Sequence, residues 1–524
     1  MLHFRPVTRG GNNTLRSIRR TMANLASTIA QGGDGTFGRI GAVARVVGLC
    51  AIALLALALT ARAAYYLWAA LAMVTWPHEA HNGEGTILHE SQLLGRDLLG
   101  GLRSLYGPQP ADGFIAGNYP PLYYALWAMK PGPSALPTGR GLSLLGGLVV
   151  ALAGGVAVWA ALPGRRALRL AAGALGGALF ICTIPVFQQI GIAKPDMIAL
   201  AFAACGLALF ERAVGPRGTV LAGCCFGLAL LTKQSIGLAF AAAALAAIRR
   251  GPRALLPLLA GAGATVGIVL GALWLLVGNS LFEHLLLYNT RPWRGDRFES
   301  LNGKFLTQHW PILVPALAYA AWGIRRRAKS ALTYYPLTAL LVLATVGAEG
   351  GARNYYIELC LAIGLGAALA LGSALGGKWG VPLLAGAALI FLLGFYTTRT
   401  YTSFIVGQYV PTPPVQDGAR MNALLAMVDA APDPILTDSI GFLALRGRPV
   451  VIDDDFLAII VREKGLWNPE GIVATVQARR YPLVLTAKYT TDAELRRAWG
   501  DQVVDALYAN YDRTGPETFA PKGR

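Results

Sequence analysis

The side chains able to do chemistry stand at the edges of apolar runs. They are the carboxylates Glu79, Glu84, Asp196, Glu349 and Glu358 and the cations Lys194, Lys233 and Arg353. Most fall in short polar clusters: HEAHNGEG from His78 to Gly85, KPD at Lys194 to Asp196, LTKQ ending at Gln234, and GARNYYIE from Gly351 to Glu358. A carboxylate accepts a proton, and lysine or arginine gives charge-assisted hydrogen bonds to phosphate. Acids and cations together are the equipment for handling a phosphate ester near a membrane surface.

The elements that must position them are membrane helices. The 524-residue chain is 54% hydrophobic and 14% charged, and the uncharged run from Val46 to Ala61 has the character of a membrane span. The net charge of +18 comes from arginines grouped between apolar runs, with no aromatic-interleaved basic patch. That grouping orients spans and excludes a nucleic-acid partner. Six cysteines lie in or beside apolar runs without ligand spacing and read as small hydrophobes.

Setting basic loops inside gives an expected order of spans at 43–75, 141–162, 168–187, 197–211, 218–231, 235–248, 254–277, 311–324, 331–347, 357–375 and 380–396. Segment 218–248 is read as a hairpin, because one long helix would bury Lys233 in mid-membrane. The expected fold class is therefore an all-α polytopic membrane protein of about eleven transmembrane helices, with a small carboxy-terminal extracytoplasmic α/β domain. Residues 1–42 form a basic cytoplasmic tail, 43–397 the membrane domain with outer loops 77–138 and 278–310, and 398–524 the soluble domain. Within loop 77–138, amphipathic pieces read as interfacial helices, and Tyr119, Tyr123, Tyr124 and Trp127 as a headgroup belt or as sugar-stacking rings.

Although the basic loops alone fix this topology, it carries every unusual polar cluster to one face. Convergence on one face implies one site.

At this point the residues carry a resemblance. GEG, AGNYPPLYYALWA, KPDMIALAF, LTKQ and RNYYIEL, in that order over residues 43 to 396, resemble the signatures of polytopic GT-C glycosyltransferases. The chain is most similar to the bacterial group of protein O-mannosyltransferases and the lipid A aminoarabinose transferase. The resemblance implies transfer of a sugar from a polyprenyl phosphate carrier to an extracytoplasmic acceptor, with inversion, in the inner membrane of a bacterium and in contact with its lipids. The family's first-loop Asp-Glu pair matches Gly83-Glu84, so Glu84 is the favoured base and Glu79 the alternative. Its second acid matches Asp196, and Lys194, Lys233 and Arg353 match cations near the carrier phosphate. Asn118, Tyr119, Asn354 and Tyr355 lie in the same motifs and join the expected substrate-binding set. The residues fix no cofactor; a divalent cation, magnesium or manganese, is the candidate to assist the base or replace it in part.

Structural readings stand beside these. Asp196 has the placement of a helix cap, and Lys194 and Lys233 that of snorkelling lysines. His78, His81 and His89 lack a metal-binding spacing, and Asp453, Asp454 and Asp455 read as a helix cap rather than a calcium site. A secondary transporter of an anionic or sugar-linked solute would also gather acids and cations, but between inverted repeats. None is visible here.

Overall fold

A computed structural model describes residues 36–375 and 418–523, apart from Asn82, Lys130, Pro133 and Thr490. The expected span at 380–396, nearly all of the basic tail and the start of the soluble domain lie outside these residues.

The membrane part is built from α1 (Thr36–Val74), α4 (Ala135–Ala161), α5 (Arg166–Ile181), α6 (Ile184–Ile190), α7 (Asp196–Arg212), α8 (Pro216–Thr232), α9 (Leu238–Arg250), α10 (Pro252–Val277), α11 (Gly295–Arg325), α12 (Ala331–Ala339) and α13 (Ile357–Leu375). Within the first outer stretch lie α2 (Glu84–Arg96) and α3 (Leu98–Tyr106). Among the described residues, four helices are long and apolar enough to cross a membrane, or five if the α5–α6 pair, bent by 73°, is one span. The expected α8–α9 break is present: α8 ends at Thr232, and Lys233 is extended. At the start of α9, the Ala239 N–H donates to Glu358 Oε1 at 2.6 Å. A carboxylate at a helix N-terminus satisfies an orphan donor and opposes the helix dipole. The second outer stretch differs from expectation, since α11 already begins at Gly295.

Small residues let the helices approach. A Cβ at Gly173 would stand 2.5 Å from the Gly155 carbonyl, so α4 and α5 cross backbone to backbone.

Outside this bundle, α2, α3 and the segment after them form a second layer with its own core, which includes Leu105, Tyr106, Tyr123, Tyr124 and Trp127. Those last three aromatics were expected at the headgroups. Instead each is fully buried, with Trp127 Nε1 donating to the Ala135 carbonyl at 3.1 Å. Leu98 and Leu99 on α3 remain exposed, as an interfacial helix requires.

The carboxy-terminal part holds a four-stranded sheet of order β1-β2-β4-β3, from Ile435–Thr437, Leu483–Leu485, Tyr511–Arg513 and Thr518–Pro521. β1 and β2 pair in parallel, and the other pairs are antiparallel. The apolar run PVVID, Pro449 to Asp453, lies outside this sheet. Its Ile452 bridges Phe114 of the outer layer: Phe114 N–H donates to the Val451 carbonyl at 2.8 Å, and Asp453 N–H to the Phe114 carbonyl at 3.0 Å. The pairing brings Asp453, Asp454 and Asp455 onto the membrane part.

Candidate active site

Two adjoining cavities lie where the outer layer, the span ends and the soluble domain meet. The larger, of about 680 Å³, has Asn118, Tyr119, Lys194, Lys233, Asn354 and Tyr355 in its wall, so six expected site residues converge there. The smaller, about 370 Å³, holds Glu79. His81, Gly83, Thr86, Asp455 and Lys488 belong to both walls.

Asp196 opens α7 immediately behind the larger cavity. Its Oδ1 accepts from Lys233 Nζ at 2.6 Å and from Asn354 Nδ2 at 3.2 Å, and it makes no capping bond. Its partner is thus the lysine that follows α8 rather than its own helix. Lys233 Nζ also sits 5.6 Å from the centre of the Tyr119 ring and 5.9 Å from that of Tyr355, within cation–π range of both faces. Lys194 is different. Among the described residues no hydrogen bond or ion pair reaches its ammonium, and burial pulls its pKa below the ordinary lysine value, with Lys233 acting in the same direction.

Glu84 is not disposed as a base. Its Oε1 accepts from Arg140 Nε and the Ala193 N–H, each at 2.8 Å; Oε2 accepts from Arg140 Nη2 at 2.7 Å and the Ala80 N–H at 2.9 Å. Both side chains are fully buried. Arg140 spends its remaining donors on the carbonyls of Met73, Trp76 and His78. These bonds hold Glu84 ionised and pull its pKa down against the burial that would raise it. The pair pins the end of α1, the HEAHNGEG loop, α2 and the Lys194 loop together. Gly83, where the resemblance calls for the first acid of the pair, is left-handed at φ 93° and has no side chain to offer.

Glu79 has the opposite environment. It accepts the Gly85 N–H at 3.1 Å, and burial raises its pKa to about 7. Gly441 of the soluble domain packs directly on it: a Cβ there would meet Glu79 Oε2 at 2.3 Å.

Arg353 is not in either cavity wall. Its charge is felt at His309 in α11. The cation that takes its place is Arg291, whose guanidinium lies 5.2 Å from the Phe456 ring centre. Asp454, Asp455, Lys488 and Tyr489 complete the wall from the soluble domain. Asp454 caps the following helix through the Leu457 N–H at 2.9 Å, as its sequence position suggested. Asp455 binds Lys488 Nζ at 2.7 Å and the Tyr489 hydroxyl at 2.6 Å. Glu349 pairs with Arg497 and serves to dock the soluble domain.

Among the described residues no three His, Cys, Asp or Glu side chains converge as metal ligands. The best-placed acids, Asp196 and Asp455, already hold lysine ammonium groups. Asp196 and Asp455 are therefore not disposed as ligands of a divalent cation.

Among solved structures of similar fold, ArnT from Cupriavidus metallidurans in the apo state superposes with TM-score 0.57 at 13% identity, covering 88% of this chain and 97% of its own. The same enzyme bound to undecaprenyl phosphate gives 0.56 at 14% identity, over 89% and 97% of the two chains. This chain has the GT-C fold. The Archaeoglobus fulgidus oligosaccharyltransferase shares it, with TM-score 0.54, 13% identity and coverage of 88% and 74%. No family profile matches the sequence, and no curated protein matches it. The GT-C architecture thus arises here from helix order and packing rather than from sequence identity.

Proposed function

We propose that this protein is a glycosyltransferase that moves a sugar from a polyprenyl phosphate carrier to an acceptor at the extracytoplasmic face of a bacterial inner membrane, with about eleven spans in the full chain. The observation that carries this reading is the uncommitted Lys194 ammonium in the larger cavity, beside Lys233 and Arg291. An unpaired, partly buried cation is costly unless an anion meets it, and a phosphate does so with charge-assisted bonds. The similar fold of a protein solved with undecaprenyl phosphate gives the anion a carrier.

In this reading the carrier phosphate lies against Lys194, Lys233 and Arg291, and the sugar occupies the larger cavity. The acceptor enters through the smaller one. Its hydroxyl or amine attacks C1, the bond from C1 to the phosphate oxygen breaks, and that electron pair leaves with the phosphate. Attack opposite the leaving group inverts C1. Cations stabilise the charge that develops on the phosphate. The acceptor's proton passes to Glu79, whose pKa near 7 suits a general base better than the clamped Glu84 does. Asp196 holds Lys233 and Asn354 in place. No step requires a metal ion.

The test is native mass spectrometry of the detergent-purified protein, scanning for co-purified polyprenyl phosphate or its glycosylated form. The expected result is a bound carrier in the wild type that is lost in Lys194→Ala and Arg291→Ala. Bulk phospholipid alone, identical in all three, would overturn the reading.

A further inference from the structure

One buried acid is used by none of these steps. Along α2, Gly83, Thr86, Ile87 and Glu90 fall at i, i+3, i+4 and i+7, and all four stand in the wall of the larger cavity. Glu90 is fully buried, and neither of its carboxyl oxygens has a hydrogen-bond partner of standard geometry among the described residues. The Tyr124 hydroxyl and the Asn118 N–H stand beside it without closing such a bond.

Its neighbours decide its protonation. Asp453 and Asp454 face Glu90 from the soluble domain, and Tyr106 and Tyr124 from the outer layer. The other charged groups of the cavity are Lys194, Lys233, Arg291, Asp455 and Lys488, the last two paired with each other. Burial and then the charges of Asp453 and Asp454 push Glu90 well above the usual carboxylate range. Two adjacent buried acids do not both ionise. Asp453 accepts the Ala116 N–H at 3.2 and 3.1 Å through its two oxygens, yet burial and the charge of Asp454 still push it up, and Asp454 is raised as well. Glu90, buried beside these acids with no bond to stabilise a charge, is held neutral, with an unspent donor facing the cavity.

We propose that Glu90 is a sugar-recognition residue: its carboxyl group donates a hydrogen bond to a hydroxyl of the donor sugar, and the acid wall it forms with Asp454 selects an uncharged sugar over an anionic one. This rests on the donor reading above. Asp454 contributes as an acceptor, because only its Oδ1 is taken by the helix cap. An anionic sugar placed there would find no free cation, since Lys488 is paired with Asp455 and Lys194, Lys233 and Arg291 remain engaged with the phosphate.

The experiment measures binding to the full-length protein of a short-chain polyprenyl phosphate, bare and bearing glucose, galactose, mannose, xylose or glucuronic acid, with the unphosphorylated polyprenol as reference. Wild type is expected to bind at least one neutral glycosylated carrier more tightly than the bare carrier, and the glucuronyl carrier no more tightly. That preference should fall about tenfold in Glu90→Ala, the loss of one hydrogen bond to a buried group, with bare-carrier affinity unchanged. Glu90→Gln, whose amide still donates, should keep it. Retention of the preference in Glu90→Ala, its loss in Glu90→Gln, or tightest binding of the glucuronyl carrier would overturn the assignment while leaving the donor reading intact. Binding of neither carrier above the polyprenol would instead sink the donor reading itself.

Discussion

Replacing Glu84 by alanine separates a structural acid from a catalytic one. In the native protein its two oxygens accept four bonds, two from Arg140 and two from the Ala80 and Ala193 N–H groups, and the Glu84 and Arg140 side chains are fully buried. The truncation leaves a guanidinium buried without its counter-charge, together with two orphaned N–H groups. Removing one partner of a buried pair costs about 3–5 kcal/mol, since the other charge stays desolvated. Because Ala193 precedes Lys194 and Ala80 follows Glu79, the damage reaches both cavities. Unfolding of the detergent-solubilised protein by heat and by denaturant, run beside carrier retention, measures it. Glu84→Ala and Arg140→Ala are expected to lose stability together and to lose bound carrier as a consequence. Glu84→Gln, which keeps the shape and gives up the charge, should fall between them and wild type. An unaltered unfolding curve for Glu84→Gln with turnover abolished would refute this reasoning and return Glu84 to the role of base.

Glu79→Gln should show the converse: turnover down by a factor of about 10²–10⁴, with stability and carrier retention close to wild type. The turnover rate should fall as pH drops below about 7, because the base must be unprotonated, and level off above it. Since this carboxyl binds its proton more tightly folded than unfolded, its contribution to stability declines as pH rises from its unfolded value of about 4.3 to about 7; a set of unfolding curves across that range, compared with Glu79→Gln, checks the sign. Gly441→Ala places a methyl 2.3 Å from Glu79 Oε2 and is expected to lower turnover while sparing carrier retention, read in the same two assays. Arg353→Ala should leave carrier retention unchanged where Arg291→Ala abolishes it, a contrast visible by native mass spectrometry.

The polar clusters were legible in the sequence because charge at a span end is rare and costly, so its position carries information. Lys194 and Lys233 were singled out on that argument and Asn118, Tyr119, Asn354 and Tyr355 by their motifs, and all six line one cavity. Which carboxylate of the first loop is free to react was not legible. Glu79 and Glu84 are five residues apart and chemically alike, and what separates them is Arg140, far along the chain on α4. That arginine did leave a signal, as a lone cation within an apolar helix that must find an acid partner. Arg353 misled because its motif position fixes the backbone of the loop but not the direction of a long side chain. Asp453 to Asp455 were read correctly as a cap, yet only the Phe114–Ile452 bridge discloses that the cap faces a cavity in the membrane part.

The charges of this site divide by the number of bonds they already make. Glu84, Arg140 and Asp438 are saturated: Asp438 alone accepts the N–H groups of Ala487, Lys488 and Tyr489, which fixes the loop carrying Lys488. A saturated buried charge has nothing left to give a substrate, and its removal disrupts the fold. Among the described residues, the Glu90 carboxyl and the Lys194 ammonium close no hydrogen bond and Glu79 accepts one N–H, and each lies in a cavity wall. An under-bonded polar group in a low-dielectric site costs stability in the empty protein, and a ligand that completes its bonds recovers that cost as affinity. Lys194 lacks an anion, Glu79 has only the Gly85 N–H and can take a proton, and Glu90 lacks an acceptor. A phosphate ester of a hydroxylated sugar meeting an acceptor hydroxyl supplies all three, which is why transfer from a lipid-linked sugar fits these vacancies better than passage of a solute through the membrane does.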